Sequence, residues 1–453
     1  MLLDPEIPLA NSGGADPEIS GVTANSRDVA KGHLFAALAG AKHDGRAFVG
    51  EALRNGAAAI LAAPGLDLPQ GVPYLAAKNP RRAFARAAAR FHGAQPATIV
   101  AVTGTSGKTS VASFARQIWA TLGRKAASLG TLGLIAPNRE RYGSLTTPDP
   151  ASLHKDLAEL AADGVTCVAM EASSHGLDQC RLDGVKLQAA AFTNLSRDHL
   201  DYHPTMEAYF AAKKRLFDTL LPRGAVAVLN ADIPEFEALK AACQARGLRV
   251  ASYGRAGKDL RLISARPVPG GQKVEIEAYG AKHEFLLPLA GAFQTMNALA
   301  AAGLVVGAGA APMDAIQALA KLQGVPGRLE RAGARKNGAA IYVDYAHKPD
   351  ALATVLAALR PHVSGKLHVV VGCGGDRDPG KRPMMGKIAI EGADRVVITD
   401  DNPRTEDPAL IRAAMLAAAP GAIEISPREN AIREAVAALE AGDVLAICGK
   451  GHE

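Results

Sequence analysis

Aromatic residues and cysteines are scarce in this chain of 453 residues, and no apolar run is long enough to cross a membrane. Phe, Trp and Tyr make up only 4% of the chain, whereas nucleic-acid-binding surfaces usually combine basic stripes with aromatic side chains. The longest uncharged apolar run, residues 298–311, is shorter than the roughly 18 to 20 residues of a membrane span. We interpret this run as a buried helix and expect neither nucleic acid nor a membrane as a partner.

The five cysteines lie far apart and never form a CxxC pair, so neither a disulfide framework nor a zinc knuckle is predicted. The first ten residues contain two prolines and no Lys or Arg, which does not fit a signal peptide. Lys and Arg total 51 against 45 Asp and Glu, a small and dispersed excess that suits anionic small molecules. We therefore expect a cytoplasmic protein, a monomer, with small-molecule substrates.

Proline and glycine breaks at residues 92–96 and 324–327 predict three domains, at residues 1–95, 96–325 and 326–453. In the second and third of them, short apolar strands alternate with helices, which is typical of α/β folds with parallel sheets. Seven predicted strands are followed directly by polar clusters: TGTSGKT, EASSH, TNLSRDH, DYAHKPD, GCGGDRD, DDNPR and GKGHE. Because ligands bind at the carboxyl ends of parallel strands, we expect two facing sites.

Residues 103–109 (TGTSGKT) have the context of a phosphate-binding loop, between an apolar strand and a helix with an apolar stripe. Its glycines let backbone N–H groups surround phosphate, Lys108 supplies a positive charge, and the Thr109 hydroxyl can bind Mg²⁺. The spacing is GxxGKT with Gly104 leading, because Val102 stands where GxxxxGK[ST] has its first glycine. A strand–turn–helix junction without chemistry is the alternative.

Glu171 ends the predicted strand VTCVAM, where its carboxylate can reach a metal ion on Thr109, although capping of the following helix is an alternative. His199 and His203 form an HxxxH pair that lacks the Glu of HExxH, so zinc is not predicted and surface or capping roles are the ordinary explanation. Residues 213–215 (KKR) open a predicted helix, and such a run is usually a solvated face. In residues 372–377 (GCGGDR), Arg377 replaces the third glycine of GxGxxG, which favours anion binding over NAD.

Together, these motifs resemble those of the Mur ligases in order and spacing. The set also includes MEASSHGLDQCRLD, FTNLSRDHLDYH, the AAK at residues 211–213, GAFQTMNALAA, VDYAHKPD, GCGGDRDPGKRP and TDDNPRTED. The resemblance spans nearly the whole chain and is greatest to the members that add meso-diaminopimelate. It implies a small N-terminal α/β UDP-binding domain, a central P-loop ATPase domain with a mostly parallel sheet, and a C-terminal Rossmann-like domain that binds the amino acid.

The resemblance implies an ATP-dependent ligase of peptidoglycan synthesis. It would add meso-diaminopimelate to the γ-carboxylate of D-Glu in UDP-N-acetylmuramoyl-L-alanyl-D-glutamate through an acyl phosphate. The ATP-binding residues it implies are Gly104, Thr105, Ser106, Gly107, Lys108, Thr109, Ser110, Asn297, Arg328 and Asp344. It places one Mg²⁺ on Thr109 and Glu171 and a second on His199 and a carbamylated Lys213, with Lys108, Glu171, His199 and Lys213 catalytic. A carbamate replaces a cation with an oxygen-rich anion suited to Mg²⁺, which overrides the solvated-face interpretation of Lys213.

The residues implied to bind the nucleotide-linked muramoyl peptide are Ala24, Ser26, Ala41, Lys42, His43, Thr146, Thr147, Ser173, Gln179 and Arg181. Leu145 stands where some members have a substrate-binding Asn, so the contact there is expected to differ. Relatives continue for some tens of residues beyond GKGHE, so we expect the sequence to be truncated or the last C-terminal elements to be missing.

Diaminopimelate carries a carboxylate that lysine lacks, so a site selective for it needs an extra cation. Residues 401–404 (DNPR) provide one, because Pro403 stiffens the turn and Arg404 can bind a carboxylate bidentately. Arg377 would bind the other carboxylate, and the distal ammonium would meet Asp401, Asn402, Gly449 and Glu453. A tight turn with a solvated Arg404 is the alternative.

Two other functions fit parts of the sequence. Folylpolyglutamate synthases share the ATPase core and the amide-forming chemistry, but DNPR and the uridine-binding resemblance argue against them. A nucleotide-switched binding protein would turn over ATP or GTP without an amino-acid substrate, whereas a ligase should release phosphate only with both co-substrates present.

Overall fold

The computed structural model describes residues 9–11, 16–40, 44–143, 145–268 and 270–450. The chain forms two compact units: residues 1–252 with 303–311, and residues 253–302 with 312–453. The α/β class predicted from the alternating pattern is confirmed, and a strand forms before each of the seven polar clusters. The domain boundaries at residues 95 and 325 remain predictions.

The N-terminal part of the first unit is a five-stranded sheet in the order β1-β5-β4-β3-β2, parallel except at the β1–β5 pair. Its strands are β1 (Leu9–Asn11), β2 (Gly21–Thr23), β3 (His33–Ala36), β4 (Ala59–Ala62) and β5 (Tyr74–Ala77). Its helices are α1 (Val49–Arg54) and α2 (Pro80–His92). Helix α2 begins at Pro80, because the Asn79 side chain accepts from the backbone N–H of Arg82 and Pro80 occupies the first turn.

A second sheet in the first unit positions the phosphate-binding loop. Its strands run β12-β11-β6-β10-β7-β8-β9, parallel from β12 to β7 and antiparallel beyond. They are β6 (Thr98–Thr103), β7 (Ala126–Gly130), β8 (Gly133–Ala136), β9 (Arg139–Arg141), β10 (Cys167–Glu171), β11 (Leu187–Phe192) and β12 (Val226–Asn230). The accompanying helices are α3 (Lys108–Thr121), α4 (Pro150–Ala162), α5 (Ser174–Asp178), α6 (Met206–Arg215) and α7 (Phe236–Ala245).

The predicted start of the KKR helix is wrong. Helix α6 begins at Met206, where the Thr205 hydroxyl accepts from Ala208 N at 3.2 Å, and KKR forms its last turn. A π-helical turn, Leu216–Leu220, then continues it towards Pro222. The run MEAYFAA that precedes KKR has a weak apolar pattern, so the cap alone marks the true beginning.

The second unit begins at the end of β13 (Arg249–Gly254) and contains an antiparallel meander of β14 (Leu260–Val268), β15 (Gly271–Ala278) and β16 (Ala281–Leu287). Helix α8 (Ala292–Gly307) and α9 (Pro312–Ala318) follow. The interpretation of residues 298–311 as a buried helix is confirmed for α8, whose residues 298–302 are almost completely buried. The last turn of α8 is counted with the first unit.

The C-terminal sheet has the order β17-β18-β22-β19-β20-β21, and only β17 is antiparallel to its neighbour. Its strands are β17 (Glu330–Ala334), β18 (Ala340–Asp344), β19 (Leu367–Val371), β20 (Arg395–Ile398), β21 (Ile423–Glu424) and β22 (Val444–Cys448). Its helices are α10 (Pro349–Leu359), α11 (Lys381–Gly392), α12 (Pro408–Leu416) and α13 (Arg428–Ala437). Apolar clusters cover both faces of the sheet, so its polar residues collect at the strand ends.

Candidate active site

The phosphate-binding loop joins β6 to α3 through two glycines with positive φ. Gly104 has φ +145° and Gly107 has φ +87°, a conformation that other residues rarely adopt. A Cβ on Gly104 would lie 1.9 Å from Thr193 Oγ1, so a larger residue would displace the loop. The loop therefore presents its backbone at the N-terminus of α3, as the sequence predicts.

Two residues after β11 hold this loop in shape. Asn194 Oδ1 accepts from Ser106 N at 2.9 Å, Asn194 O accepts from Thr105 N at 2.9 Å, and Thr193 Oγ1 donates to Ser106 O at 2.6 Å. The sequence analysis gave Thr193 and Asn194 no role of their own in the TNLSRDH segment. In the structure β11 pairs with β6, which places the carboxyl end of β11 beside the loop.

Two lysine amines meet at one carbonyl oxygen of the loop. Lys108 Nζ donates to Gly104 O and Thr105 O, both at 2.9 Å, and Lys213 Nζ donates to the same Gly104 O at 2.7 Å. Lys213 is only 1% exposed, so the solvated-face interpretation is wrong for it. Burial, followed by the charge of Lys108, holds the pKa of Lys213 well below its usual value.

Lys213 lies against a group of aromatic side chains. Its Nζ is 4.4 Å from the ring centroid of Tyr209, whose hydroxyl is 3.2 Å from Thr105 Oγ1. The His199 ring lies 6.1 Å from the Tyr209 ring and 4.9 Å from the His175 ring. Sequence reasoning identified Lys213 and His199 but missed Tyr209 and His175, although Tyr209 precedes Lys213 by one helical turn.

Glu171 lies at the end of β10 with its side chain buried. Its Oε1 accepts from Thr131 N at 2.7 Å and its Oε2 from the Thr131 hydroxyl at 3.2 Å. The capping interpretation is wrong, because the cap of α5 is Ser173, whose hydroxyl accepts from Gly176 N at 3.0 Å. In the β10–β6 register Glu171 pairs with Val102, which places the carboxylate next to the start of the phosphate-binding loop.

Three residues expected to bind the muramoyl peptide surround Glu171. The Thr147 hydroxyl lies 2.9 Å from Glu171 O and 3.0 Å from Ser173 Oγ. Thr146 Oγ1 lies 3.1 Å from the hydroxyl of Thr131, which itself donates to Glu171. The structure therefore brings Thr146, Thr147 and Ser173 together beside the proposed metal ligand.

Gln179 and Arg181 extend the same network. Arg181 Nη1 donates to Thr147 O at 2.7 Å, and its Nη2 donates to Gln179 Oε1 at 2.7 Å. Gln179 Nε2 donates to the hydroxyl of Tyr202 at 3.2 Å, and that hydroxyl donates to Asp178 at 2.7 Å. All five residues predicted for the peptide end are thus joined by direct or shared contacts.

The residues predicted for the uridine end lie in the N-terminal sheet region. Ser26 is buried in a short 3₁₀ turn whose cap is Asn25, and Ser26 O accepts from Asn55 Nδ2 at 3.3 Å. Ala24 follows β2 and is exposed. Ala41, Lys42 and His43 lie outside the described residues.

In the second unit, the three residues expected near the nucleotide are linked. Asn297 Nδ2 donates to Gln294 Oε1 at 3.0 Å, and Gln294 Nε2 donates to Arg328 O at 2.9 Å. Asp344 Oδ2 accepts from Leu329 N at 2.6 Å. Burial raises the pKa of Asp344 to about 6, although the charge of Arg328 and two backbone N–H groups oppose this shift.

The residues expected to bind diaminopimelate collect at the carboxyl ends of three adjacent strands, β22, β19 and β20. Arg404, with φ +52°, donates from Nη1 to Gly375 O at 2.7 Å. A Cβ on Gly375 would lie 1.9 Å from Pro403 O, so this glycine permits the two loops to touch. Arg377 is exposed on the same loop. Arg404 is exposed, as the alternative of a tight turn with a solvated Arg404 expects, and it also donates to the neighbouring loop.

The other residues expected to bind diaminopimelate lie close to the two loops that contain Gly375 and Arg404. Lys450 Nζ donates to Asn402 Oδ1 at 3.0 Å, and a Cβ on Gly449 would be 3.0 Å from Asp401 Oδ2. Asp401 and Asn402 therefore face the end of β22, and sequence reasoning missed Lys450. Glu453 lies outside the described residues.

Among the residues that the structure describes, no group of three or more His, Cys, Asp or Glu side chains is arranged to hold a metal ion by itself. The same part of the chain contains no helix with the length and hydropathy required to span a bilayer. All five cysteines are free and buried.

The strand–loop–helix at Lys108, with a buried acid on the adjacent strand, defines a P-loop enzyme built on a parallel sheet. The chain belongs to the Mur ligase family and is a ligase. Family models match residues 18–92 (Mur ligase family, catalytic domain), 102–305 (Mur ligase middle domain) and 327–451 (Mur ligase, glutamate ligase domain). The three-domain α/β architecture expected from the resemblance is confirmed.

Curated relatives match over almost the whole chain. The UDP-N-acetylmuramoyl-L-alanyl-D-glutamate–2,6-diaminopimelate ligase of Mesorhizobium japonicum is 56% identical, over 99% of this chain and 93% of its own length. The protein of the same name from Caulobacter vibrioides is 57% identical over 97% of this chain and 91% of its own length.

Solved structures show the same fold. A structure of UDP-N-acetylmuramoyl-L-alanyl-D-glutamate–2,6-diaminopimelate ligase has a TM-score of 0.75 at 35% identity, covering 96% of this chain and 90% of that one. MurF ligase from Thermotoga maritima in complex with ADP has a TM-score of 0.65 at 22% identity, covering 97% and 95%. At that identity the second likeness concerns the fold alone.

Proposed function

We propose that this chain uses ATP to join meso-diaminopimelate to the γ-carboxylate of D-Glu in UDP-N-acetylmuramoyl-L-alanyl-D-glutamate. The observation that carries the proposal is the hydrogen-bond network from Glu171 through Thr147 to Arg181. Glu171 pairs with the strand that enters the phosphate-binding loop, which supports a peptide-binding surface beside the phosphate donor. The relatives named above carry that reaction in their names.

ATP phosphates would be held by residues 104–110 at the N-terminus of α3. Backbone N–H groups and the helix dipole favour anions there, and Lys108 contributes a full positive charge. Asn297, Arg328 and Asp344 are assigned to the remainder of the nucleotide. These assignments are supported by the fit of the loop conformation and by the family membership.

The donor set suits Mg²⁺ at two positions. Thr109 and Glu171 offer hydroxyl and carboxylate oxygens for one ion, and His199 with a carbamate on Lys213 would serve the second. The fit rests on Lys213, because a buried amine that shares Gly104 O with Lys108 is pushed towards its unprotonated form, which is the form that adds CO₂. When bound, the ions would neutralise phosphate charge during transfer.

The reaction would proceed in two steps. A γ-carboxylate oxygen of D-Glu attacks the γ-phosphorus of ATP, which forms the acyl phosphate and releases ADP. The unprotonated amine of diaminopimelate then attacks the acyl carbon, and the tetrahedral intermediate expels phosphate as the amide forms. Lys108 stabilises the charge that moves between the β- and γ-phosphates, and Arg181 with Thr147 holds the peptide in place.

Selection of the amino acid is assigned to the C-terminal domain. Arg377 and Arg404 would each take one carboxylate, and Asp401 and Asn402 the distal ammonium. Lysine would leave the Arg404 guanidinium without its carboxylate, so it should be a poor substrate. We also place the reaction in the cytoplasm and expect a monomer.

Trapping of the acyl phosphate tests the proposal. The protein is incubated with ATP and UDP-N-acetylmuramoyl-L-alanyl-D-glutamate in the presence of hydroxylamine, without diaminopimelate. A γ-hydroxamate of D-Glu, detected by mass spectrometry, is expected because hydroxylamine replaces the natural amine. Absence of the hydroxamate from a preparation that binds both substrates would contradict the proposed chemistry.

A further inference from the structure

The three consecutive basic residues at the end of α6 have three different surroundings. Lys213 is buried at the phosphate-binding loop, and Lys214 lies partly exposed at 3.8 Å from Asp218. Arg215 has 19% of its side chain exposed, although it is the last residue of the helix. A guanidinium removed from water to this degree needs defined partners, and these partners indicate what it does.

Arg215 contacts the segment after β10 at two points. Its Nη2 donates to Asp183 Oδ1 at 2.8 Å, and its Nη1 donates to Leu177 O at 3.1 Å. The Asp183 side chain is only 3% exposed, and its Oδ1 also lies 3.3 Å from Arg82 Nε on α2. The planar fork of Arg215 therefore joins the last turn of α6 to both ends of residues 177–183.

Residues 177–183 contain Gln179 and Arg181, which the proposed function assigns to the muramoyl peptide. Helix α6 carries Lys213 two residues before Arg215. One guanidinium makes both contacts, so a displacement of the last turn of α6 relative to residues 177–183 would disturb them. The Arg215 contacts thus tie the turn that carries Lys213 to the peptide-binding segment.

We propose that Arg215 is a positioning residue that sets Lys213 relative to residues 177–183 during the ligase reaction. This inference rests on the proposed function. The Arg215 guanidinium contacts Leu177 and Asp183, neither of which is assigned to ATP or to the peptide. Its loss should therefore reduce turnover by misplacement, which can cost on the order of tenfold to a hundredfold for shifts near 1 Å.

The test compares Arg215→Gln with Lys214→Gln, a matched change that removes the same charge one residue away. Phosphate release is measured with ATP, UDP-N-acetylmuramoyl-L-alanyl-D-glutamate and diaminopimelate, and rates are corrected for the folded fraction. Arg215→Gln should lower kcat at least about tenfold and raise KM for the muramoyl peptide, while KM for ATP stays within about twofold. Lys214→Gln should match wild type.

Equal kinetics of the two variants would overturn the inference, because a purely structural Arg215 would change only the folded fraction. If Arg215→Gln does not fold, Arg215→Lys replaces it. Lysine keeps the charge beside Asp183 but lacks the two-point fork, so a partial loss of kcat is expected and wild-type kinetics would overturn the inference.

If the proposed function is wrong, the wild-type protein releases no phosphate with these substrates, which distinguishes this outcome from the ones above. Amide hydrogen exchange then becomes the readout. Arg215→Gln should speed exchange in residues 177–183 several-fold relative to Lys214→Gln, and identical exchange in the two variants would overturn the inference.

Discussion

Lys108 and Lys213 donate to the same backbone oxygen, Gly104 O, at 2.9 and 2.7 Å. Two ammonium groups at one acceptor repel each other. Burial, and after it the charge of Lys108, lowers the pKa of Lys213, so this amine gives up its proton more readily. This pair connects the phosphate-binding loop with the predicted carbamate.

Lys108→Ala should abolish turnover, because it removes the cation that stabilises charge moving between the β- and γ-phosphates. We expect less than a tenth of wild-type activity in the phosphate-release assay, a loss of more than about 1.4 kcal/mol of transition-state stabilisation. Activity above that tenth would be incompatible with the P-loop assignment.

Lys213→Ala should be almost inactive and should regain part of its activity with a short-chain carboxylic acid. The acid can occupy the space of the missing side chain and supply the oxygen donors of the carbamate. Activity is measured with and without the acid, and Lys214→Ala serves as the control that should not respond. Wild-type activity in Lys213→Ala would return the residue to a structural role.

Two substitutions of Tyr209 distinguish the contribution of its hydroxyl from that of its ring. Tyr209→Phe loses the contact with Thr105 and should weaken ATP binding modestly, by about 1 kcal/mol or roughly fivefold in KM for ATP. Tyr209→Leu also loses the ring beside Lys213 and should lower kcat further. Steady-state kinetics of the two variants check this order, and indistinguishable variants would mean that the ring does not support Lys213.

Asp344 should make the nucleotide-free protein less stable as pH rises. Its folded pKa of about 6 lies above the unfolded value of 3.8, so stability is fully present below pH 3.8 and is lost as pH rises through 6. In denaturant unfolding between pH 4 and 7, wild type should lose about 1–3 kcal/mol relative to Asp344→Asn. If the free energies of unfolding of the two proteins change with pH in the same way, burial does not raise the pKa of Asp344.

Arg404→Ala should lose diaminopimelate use while ATP binding persists, because we assign the guanidinium to the amino-acid site rather than to the phosphate-binding loop. KM for diaminopimelate and ATP affinity are measured separately. Arg412→Ala, which instead removes the ion pairs of Arg412 with Glu424 and Asp400, is the control and should leave KM for diaminopimelate near wild type. An unchanged KM in Arg404→Ala would remove the residue from the site.

The sequence predicted the parts of this site that depend on local chemistry. The phosphate-binding loop follows from its glycines and Lys–Thr pair, and the strand-end clusters follow from the alternating pattern. The sequence did not predict contacts between segments that lie far apart in the chain, such as the contact between Tyr209 and Thr105, which are 104 residues apart. Lys213 was assigned through the resemblance, because its composition alone indicates a solvated face and only tertiary packing buries it.

The proposed reaction condenses diaminopimelate with the muramoyl dipeptide and converts ATP to ADP and phosphate. The most direct measurement is phosphate release with each co-substrate omitted in turn, coupled to mass spectrometry of the nucleotide product. We predict phosphate release only with all three substrates, a product heavier by one diaminopimelate less one water, and rates with L-lysine lower by several orders of magnitude. Phosphate release without diaminopimelate, or comparable rates with lysine, would contradict the proposed reaction.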